Sequence, residues 1–507
     1  MSGCDPAQSG AVTLPAPAAP PTLLWNVSVA GEGCGGSITA SAGCVSTGAS
    51  AVCALPASCG DGAAVGLVRV APPSDGSGPT ASAFDGPGSS FCLPMPVPIS
   101  APADAGEVQL ASNLPLLDAG GDAFVWDTVA VGAWAADGSR PWSIGLSPTQ
   151  ACPAVLSQVS LTNLSTLVYV QAPLGRMFTY YPTGVPSAGI ALVANNTGTA
   201  VYPPPPASLP TGSGVLLPIS ALAVAGSRIL LLARYTQANS SSSSSGATNN
   251  GSGVYVAAVD QRPDMVARLW PAWQLEVPTG GTPLGSCVPS PATPAGAGTV
   301  ALAVAGPLVA TDDVGVVAMA CGGFVRLAGF TIAHPRVAWL SDVALPGGDD
   351  DSVAGMVLQD GTPGGDPTTA WAVSAASGVL WAIGAQDGSA RGNTTLAALA
   401  AGSGTPCDGV GTLTPASKPL LSATNATLML AVVAPQPPRG QPAFTALMAI
   451  ALPPTVGQPT LLWCVATPDY PPPASPRTAT TQLAMVVDAD GHPAVLLAAP
   501  TRLLAYG

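Results

Sequence analysis

Glycine and proline recur throughout this chain and divide it into short apolar segments. The 507 residues include 59 glycines and 56 prolines, and we find no stretch with helical periodicity over three turns. Both residues are unfavourable inside helices, whereas short apolar runs between turn residues are typical of strands. Because 48% of the residues are hydrophobic, the chain can still build a packed core. The sequence therefore predicts an all-β protein with almost no helix, and it excludes coiled coils.

The charge of the chain excludes several function classes. Charged residues make up only 8%, the net charge is −13, and Lys418 is the single lysine. No basic patch is available for a phosphate backbone, so we expect no nucleic-acid partner. The longest apolar stretches, at 300–310 and 426–434, are far shorter than a bilayer requires, which predicts no membrane span. Residues 1–8 do not resemble a signal peptide, which leaves a cytosolic protein or one whose signal has been removed.

The asparagines favour the second alternative. Seven of the ten stand in N-x-[ST] sequons, whereas a chance distribution in a chain this rich in Ser and Thr gives roughly two. The predicted N-glycosylation sites are Asn26, Asn163, Asn195, Asn239, Asn250, Asn393 and Asn425. Attached sugars would also solubilise a surface with so few charges. We therefore predict an extracellular or cell-surface glycoprotein.

The cysteines agree with an oxidising compartment. Of the eleven, five fall in one Gly-, Ser- and Ala-rich segment, where disulfides would stabilise a poorly packed region. These candidates are Cys34, Cys44, Cys53, Cys59 and Cys92. The spacing leaves their connectivity open, and the odd total leaves one cysteine without a partner in the chain.

The chain reads as one domain with a short lead-in. Residues 1–21 are rich in Pro and Ala and are predicted to be extended, while 22–507 hold the recurring strand and turn pattern. Residues 236–253, with an unbroken serine run at Ser240–Ser245, are predicted to form a flexible insertion. The runs Tyr202–Pro206 and Tyr470–Pro473 favour polyproline II and are predicted to connect structural units.

A degenerate tryptophan repeat is the most informative pattern. Six segments share an apolar residue or proline, then Trp, then alternating small and apolar residues, and they centre on Trp25, Trp142, Trp273, Trp339, Trp381 and Trp463. Their intervals suit radial repetition with loops of variable length. This pattern predicts a single β-propeller of eight blades, with seven as the fallback; the competing interpretation is an irregular sandwich with buried tryptophans.

The two ends of the chain complement each other. After Trp463 three further strands are predicted, one fewer than a four-stranded blade needs, and Thr22–Val29 supplies an isolated strand. Pairing of this strand beside Leu503–Tyr506 would remove two exposed sheet edges. We therefore predict that the N-terminal strand closes the last blade.

Four segments carry a resemblance to a known family. The sequences SGVYVAAVD, GVLWAI, RLLAYG and LLWNVSV resemble the repeats of quinoprotein-type (PQQ-like) eight-bladed β-propellers. That family uses an adjacent cysteine pair and a calcium site, and no two cysteines are adjacent here, so no cofactor site carries over. The composition, with its proline runs, also resembles secreted cell-wall and flagellar-surface glycoproteins of green algae.

Acidic clusters provide weak calcium candidates. Asp349, Asp350 and Asp351 follow two glycines, and Asp488 and Asp490 resemble the start of a calcium loop that lacks its later ligands. A solvated loop tip and an ordinary Asp-Gly hairpin explain both clusters equally simply. Two histidines, each followed by proline, do not make a zinc site. We predict no catalytic residue and no bound cofactor, apart from this calcium alternative.

These observations favour a non-enzymatic function. The chain is predicted to be a rigid extracellular or cell-surface scaffold whose partners are other extracellular proteins, glycans or further copies of itself. The alternative is a secreted propeller enzyme, a quinoprotein-like oxidoreductase or a hydrolase. Carboxylates that converge in the central channel would favour the enzyme, whereas a channel lined by Ala, Val and Thr would favour the scaffold.

Overall fold

The computed structural model describes the strands of the chain and most of its C-terminal third. The described residues are 11–12, 14–28, the strands bounded below between 43 and 277, 308–311, 313–321, 324–344, 346, 351–360, 368–422, 424, 426–435, 442–454, 457–468, 482–487, 492–498 and 502–507. Residues 238–252 of the predicted insertion 236–253 and both proline runs lie outside them, whereas 236–237 and Gly253 belong to strands.

The described strands form eight sheets, which we number in chain order. Two strands precede them: β1 (Ala11–Val12) and β2 (Leu23–Ser28). Sheet 1 contains β3 (Gly43–Thr47), β4 (Ser50–Cys59), β5 (Gly62–Ala71), β6 (Thr80–Ala83) and β7 (Leu93–Pro94); sheet 2 contains β8 (Leu116–Leu117), β9 (Ala123–Trp126), β10 (Ala130–Trp134) and β11 (Trp142–Gly145); sheet 3 contains β12 (Val155–Leu161), β13 (Ser165–Ala172) and β14 (Arg176–Tyr180); sheet 4 contains β15 (Gly214–Pro218), β16 (Ala223–Ala225), β17 (Arg228–Gln237), β18 (Gly253–Arg262) and β19 (Arg268–Val277).

The remaining sheets follow the same scheme. Sheet 5 contains β20 (Leu308–Ala310), β21 (Val314–Cys321), β22 (Phe324–Thr331) and β23 (Arg336–Ala344); sheet 6 contains β24 (Val353–Gln359), β25 (Thr369–Ser374), β26 (Val379–Gly384) and β27 (Ala390–Thr395); sheet 7 contains β28 (Thr414–Pro415), β29 (Leu420–Ser422), β30 (Thr427–Ala434), β31 (Phe444–Ala451) and β32 (Thr460–Ala466), with β1 beside β29; sheet 8 contains β33 (Gln482–Val487), β34 (Pro493–Ala498) and β35 (Arg502–Tyr506), with β2 beside β35. The five-residue helix α1 (Leu396–Ala400) follows β27, and no helix among the described residues could cross a bilayer.

Each sheet is antiparallel and built from strands that are consecutive in the chain, apart from the contributions of β1 and β2. The inner strands contact one another from β3 through β8 to β12, and from β16 through β20 and β24 to β29. Strand β30 contacts β33, and β33 contacts β3, which brings the last sheet against the first. Radially repeated small sheets with their first strands inside form a β-propeller. The all-β propeller prediction is confirmed; the number of blades stays a prediction for the whole chain.

The N-terminal strand closes the ring as predicted. Strand β2 is antiparallel to β35, and the backbone N–H of Thr22 donates to the Gly507 carbonyl at 2.9 Å. The Gly507 N–H donates back to the Thr22 carbonyl at 3.1 Å. Part of the lead-in is also packed, because β1 runs parallel to β29 and Ala16 is buried between sheets 7 and 8.

The described core lies between neighbouring sheets. Four apolar clusters fill the spaces between sheets 4 and 5, 5 and 6, 6 and 7, and 7 and 8. Side chains alternate along a strand, so each central strand buries one set of residues against the sheet before it and the other against the sheet after it. All eight residues of β30 are consequently buried, which is why this strand has the sequence TLMLAVVA.

Candidate functional site

The tryptophan repeat marks one position in the propeller. In five sheets a repeat tryptophan lies on the outermost strand and pairs across the ladder with Ala or Gly on the neighbouring strand. These pairs are Trp142 with Ala133, Trp273 with Ala258, Trp339 with Gly329, Trp463 with Ala449 and Trp25 with Ala505. In four of the five the residue just before Trp is the extra residue of a β-bulge: Ala272, Ala338, Leu462 and Leu24. In these four segments the apolar-Trp pattern is therefore a bulge residue followed by the tryptophan.

Trp339 in sheet 5 closes the space toward sheet 6. Its indole Nε1 donates to the Ala385 carbonyl in the β26–β27 turn at 2.9 Å. The ring lies so close to Gly329 and Gly388 that a Cβ at either position would come within 2.6 Å of it. Gly388 also has a positive φ of 70°, which favours glycine in this turn. Trp463 plays the same part in sheet 7, where its Nε1 donates to the Pro17 carbonyl of the lead-in at 2.9 Å.

Sheet 6 departs from this arrangement. Its outermost strand, β27, has a bulge at Arg391, and the next residue, opposite Ala382, is Gly392. Trp381, which the sequence placed in the repeat, lies instead on β26 and faces sheet 5 within the apolar cluster that contains Trp339. Its "apolar-Trp" pattern is therefore not equivalent to the others. The position that holds Trp in five sheets holds a residue without a side chain here.

A cavity of about 230 Å³ lies between sheets 6 and 7 at this position. Its floor is apolar and buried, and consists of Trp371, Leu380, Ala382 and Pro459. Its mouth carries the exposed residues Gly392, Asn393, Gly457 and Gln458, with Arg391 and Thr394 half-buried beside them. The cavity thus combines an aromatic floor with a polar rim that opens to solvent, which is the usual composition of a ligand pocket.

Hydrogen bonds hold the floor in place. The Trp371 indole Nε1 donates to Gln359 Oε1 at 2.8 Å, and Gln359 Nε2 donates to the Pro453 carbonyl at 3.3 Å. These bonds connect sheet 6 to the loop that follows β31 in sheet 7. On the other side of β25, the Arg391 guanidinium donates to the Thr369 hydroxyl. These hydrogen bonds fix the position of the floor, and the described residues that line the cavity include no nucleophile with a neighbouring base.

Asp351 is the one calcium candidate within the described residues, and it serves the fold. Its carboxylate accepts hydrogen bonds from Ser374 Oγ at 2.7 Å and from the backbone N–H groups of Ser352 and Ala376 at 2.8 Å. Burial raises the pKa of Asp351, but these bonds, with one from Ser377, outweigh it and hold the pKa below its ordinary value. The carboxylate thereby fixes the β25–β26 turn.

The other calcium candidates lie elsewhere. Asp349, Asp350, Asp488 and Asp490 are outside the described residues, and within those residues no group of three or more His, Cys, Asp or Glu could hold a metal ion. The calcium prediction stays untested.

Two of the seven sequons are described, and both are exposed. Asn26 lies on β2 and Asn393 on β27, the outermost strands of sheets 8 and 6. Asn163, Asn195, Asn239, Asn250 and Asn425 lie outside the described residues. Glycosylation itself stays a prediction.

The disulfide found in the described part of the chain joins cysteines that the sequence did not single out. Cys407 and Cys464 are bonded, with their Cα atoms 6.2 Å apart, and they link the loop after α1 to β32. Among the predicted candidates, Cys44 and Cys53 are cross-strand partners in β3 and β4, Cys59 ends β4, and Cys34 and Cys92 lie outside the described residues. The pairing of these five stays a prediction.

Sequence reasoning missed the cavity and the Cys407–Cys464 bond for different reasons. Gly392 stands at the position where the repeat has Trp, but a glycine carries no sequence pattern of its own. It is recognised only once the strand register is known. The two cysteines are 57 residues apart, and that spacing carries no information on pairing.

The comparisons with known proteins concern the fold alone. No protein-family model and no curated protein matches the chain. Among solved structures, it is similar to a chain of a mitotic checkpoint complex, with 10% identity, a TM-score of 0.40 and coverage of 78% of this chain and 86% of that one. It is also similar to a europium-containing methanol dehydrogenase, with 10% identity, a TM-score of 0.38 and coverage of 76% of this chain and 81% of that one. For the Dos1 propeller the identity is 8%, the TM-score is 0.39 and the coverage is 78% of each chain.

Proposed function

We propose that this protein is a non-enzymatic scaffold of the cell surface or extracellular space. Its rigid propeller presents its edges to other proteins or to glycans. The observation that carries the proposal is the closure of the ring by β2 in sheet 8. Opening the ring would expose two strand edges and the buried faces between sheets, so a closed propeller keeps its loops in fixed relative positions.

The positions of the sequons support a glycoprotein. Asn26 and Asn393 are exposed on outermost strands, where a glycan can extend from the rim of the propeller without displacing packed residues. The Asn26 side chain is exposed even though β2 is paired with β35. The low proportion of charged residues leaves the surface in need of such a solubilising group.

The bond between Cys407 and Cys464 supports an oxidising compartment. Disulfides persist in secreted and surface proteins and are reduced in the cytosol. Both cysteines are buried within the apolar cluster between sheets 6 and 7, so the bond is part of the packed structure.

The inner strands support a scaffold over an enzyme. Strands β20, β24, β29 and β33 have the sequences LVA, VAGMVLQ, LLS and QLAMVV, which are composed of apolar, hydroxyl and amide residues. These four strands, which belong to sheets 5 to 8, contain no ionisable residue, and their composition suits structural packing. A propeller enzyme would need ionisable groups or a bound ion at its centre.

Secretion from a eukaryotic host tests the proposal. The mass of the purified protein should fall on treatment with an N-glycosidase, and Asn26→Gln and Asn393→Gln should each remove one glycan. Asn113→Gln is the matched control, because Asn113 stands in no sequon. An unchanged mass in all cases would contradict the glycoprotein proposal. Dye reduction by the secreted protein in the presence of the quinone cofactor and calcium would favour the enzyme instead.

A further inference from the structure

The cavity between sheets 6 and 7 occupies the place of a tryptophan side chain. In sheet 5 the equivalent row across the ladder runs from Val316 through Gly329 to Trp339, and in sheet 6 it runs from Trp371 through Ala382 to Gly392. In sheet 6 the tryptophan of this row, Trp371, lies on the second strand, β25. The outermost strand, β27, has Gly392 in the row, so the outer end of the row carries no side chain. Trp339 fills the outer end of the interface between sheets 5 and 6, whereas the same place between sheets 6 and 7 is open.

In both places a turn of the neighbouring sheet lies next to the tryptophan position. Gly388, in the turn that leads to the outermost strand of sheet 6, packs against the Trp339 ring. Gly457, in the turn that leads to the outermost strand of sheet 7, lines the cavity beside Gly392. Counted back from the paired positions Gly392 and Trp463, Gly388 corresponds to Pro459, so a buried proline lines the cavity where a glycine meets the Trp339 ring.

The hydrogen-bond acceptor for the indole also has a counterpart. Ala385 is the first residue after β26, and its N–H donates to the Thr368 carbonyl just before β25 at 2.9 Å. Leu452 is the first residue after β31, and its N–H donates to the Ala426 carbonyl just before β30, also at 2.9 Å. The Leu452 carbonyl thus corresponds in position to the Ala385 carbonyl, which accepts the Trp339 N–H.

The cavity has room for an aromatic ring. Its volume is about 230 Å³, and a protein cavity of about 150 Å³ with apolar walls is enough to bind benzene. The Trp371 ring in the floor offers an aromatic contact, for which offset or edge-to-face geometry is favourable. The amides of Asn393 and Gln458 at the mouth can hydrogen-bond a polar substituent outside the ring.

We propose that this cavity is a binding site for a planar aromatic ring of the indole type, which enters from outside the chain and takes the position that Trp339 holds in sheet 5 and Trp463 holds in sheet 7. The ring comes either from a free aromatic molecule or from a tryptophan side chain of a bound polypeptide. This inference rests on the packing of sheets 5 to 7 and not on the scaffold function, and it meets the proposed function at one residue, because Asn393 is both at the cavity mouth and a proposed glycan site.

Ligand-observed ¹⁹F NMR with 5-fluoroindole tests the site on the full-length protein. We expect line broadening that corresponds to a dissociation constant below about 1 mM. Ala382→Leu places extra carbon atoms in the cavity floor and should weaken binding by at least about tenfold. Ala398→Leu, the same change at an exposed position of α1, is the matched control and should leave binding unchanged. The absence of broadening, or equal binding by Ala382→Leu and wild type, would overturn the proposal.

A second measurement does not depend on how well a variant folds. A diazirine derivative of indole, photoactivated on the wild-type protein, should label peptides that contain residues 391–394 and 457–459. Labelling confined to other peptides would overturn the proposal.

Two further arms identify the source of the ring and the competing occupant. Tighter binding of N-acetyltryptophanamide than of 5-fluoroindole indicates a polypeptide ligand, and the reverse indicates a free small molecule; either result supports the site. Binding that appears only in Asn393→Gln would mean that a glycan on Asn393 already fills the cavity, which would overturn the proposal.

Discussion

The two interfaces of sheet 6 are closed in different ways. Toward sheet 5, the Trp339 ring fills the outer end of the interface and donates a hydrogen bond across it. Toward sheet 7, that end holds a cavity, and the interface is secured by the Cys407–Cys464 bond and by the Trp371–Gln359–Pro453 hydrogen bonds. A propeller interface can therefore be held either by one large aromatic side chain or by a covalent bond combined with a polar bridge. The second solution leaves space for a ligand.

The largest effect is expected from removal of the aromatic closure. Trp339→Ala should destabilise the protein by about 4 kcal/mol, because it loses the buried indole and leaves a cavity and an unpaired Ala385 carbonyl. Hydrogen–deuterium exchange should report increased exchange in β23 and β26. Leu340→Ala, at the exposed neighbouring residue, is the control and should change stability by less than about 0.5 kcal/mol. Equal effects of the two variants would contradict the assigned role of Trp339.

Removal of the disulfide tests the other interface. The double variant Cys407→Ala/Cys464→Ala should lose about 3 kcal/mol, because the bond closes a loop with a separation of 57 residues. Chemical denaturation under non-reducing conditions gives the difference, and wild-type protein under reducing conditions should match the variant. Faster exchange in β23 than in β32 would show that the bond does not act on the interface between sheets 6 and 7.

Asp351 stabilises sheet 6 independently of both interfaces. Asp351→Asn should cost about 2 kcal/mol, because an amide cannot replace the buried carboxylate that accepts from Ser374, Ser352 and Ala376. The loss should affect the two interfaces equally in hydrogen exchange. An effect confined to one interface would contradict this role.

The same carboxylate predicts a pH dependence. Because the pKa of Asp351 is lowered in the folded protein, its contribution is fully present above the unfolded value of about 3.9 and is lost as the pH falls through the folded pKa. Wild-type protein should therefore lose more stability than Asp351→Asn as the pH is lowered from 5 through the folded pKa of Asp351, as measured by the thermal midpoint. Parallel pH profiles would contradict the prediction.

A smaller effect is expected at the polar bridge. Gln359→Leu should cost about 1.5 kcal/mol, since the Trp371 N–H and the Pro453 carbonyl both lose a hydrogen-bond partner. Gln458→Leu, at the exposed mouth of the cavity, is the control and should be near neutral. If both variants are neutral in thermal unfolding, the bridge does not support this interface.

The sequence predicted the architecture better than the site, and the physical reason lies in what each pattern encodes. A bulge followed by Trp, as in Leu24-Trp25 and Leu462-Trp463, is a local feature, so it was visible without the structure. Leu380-Trp381 has the same local pattern but lies on β26, because strand register depends on contacts between segments that are far apart. The cavity beside Gly392 and the Cys407–Cys464 bond likewise depend on contacts between distant segments, which the local sequence does not encode.

Closure of the ring has a consequence for biosynthesis. The Thr22 hydroxyl donates to the Gly507 carbonyl across a separation of 485 residues, and β2 has no strand partner until β35 has been translated. At typical elongation rates the wait is on the order of a minute. Throughout that time Leu23 and Leu24, and the unpaired edge of β2, are open to contact with other nascent chains or with chaperones. Translation of β35 therefore determines when β2 becomes protected from aggregation.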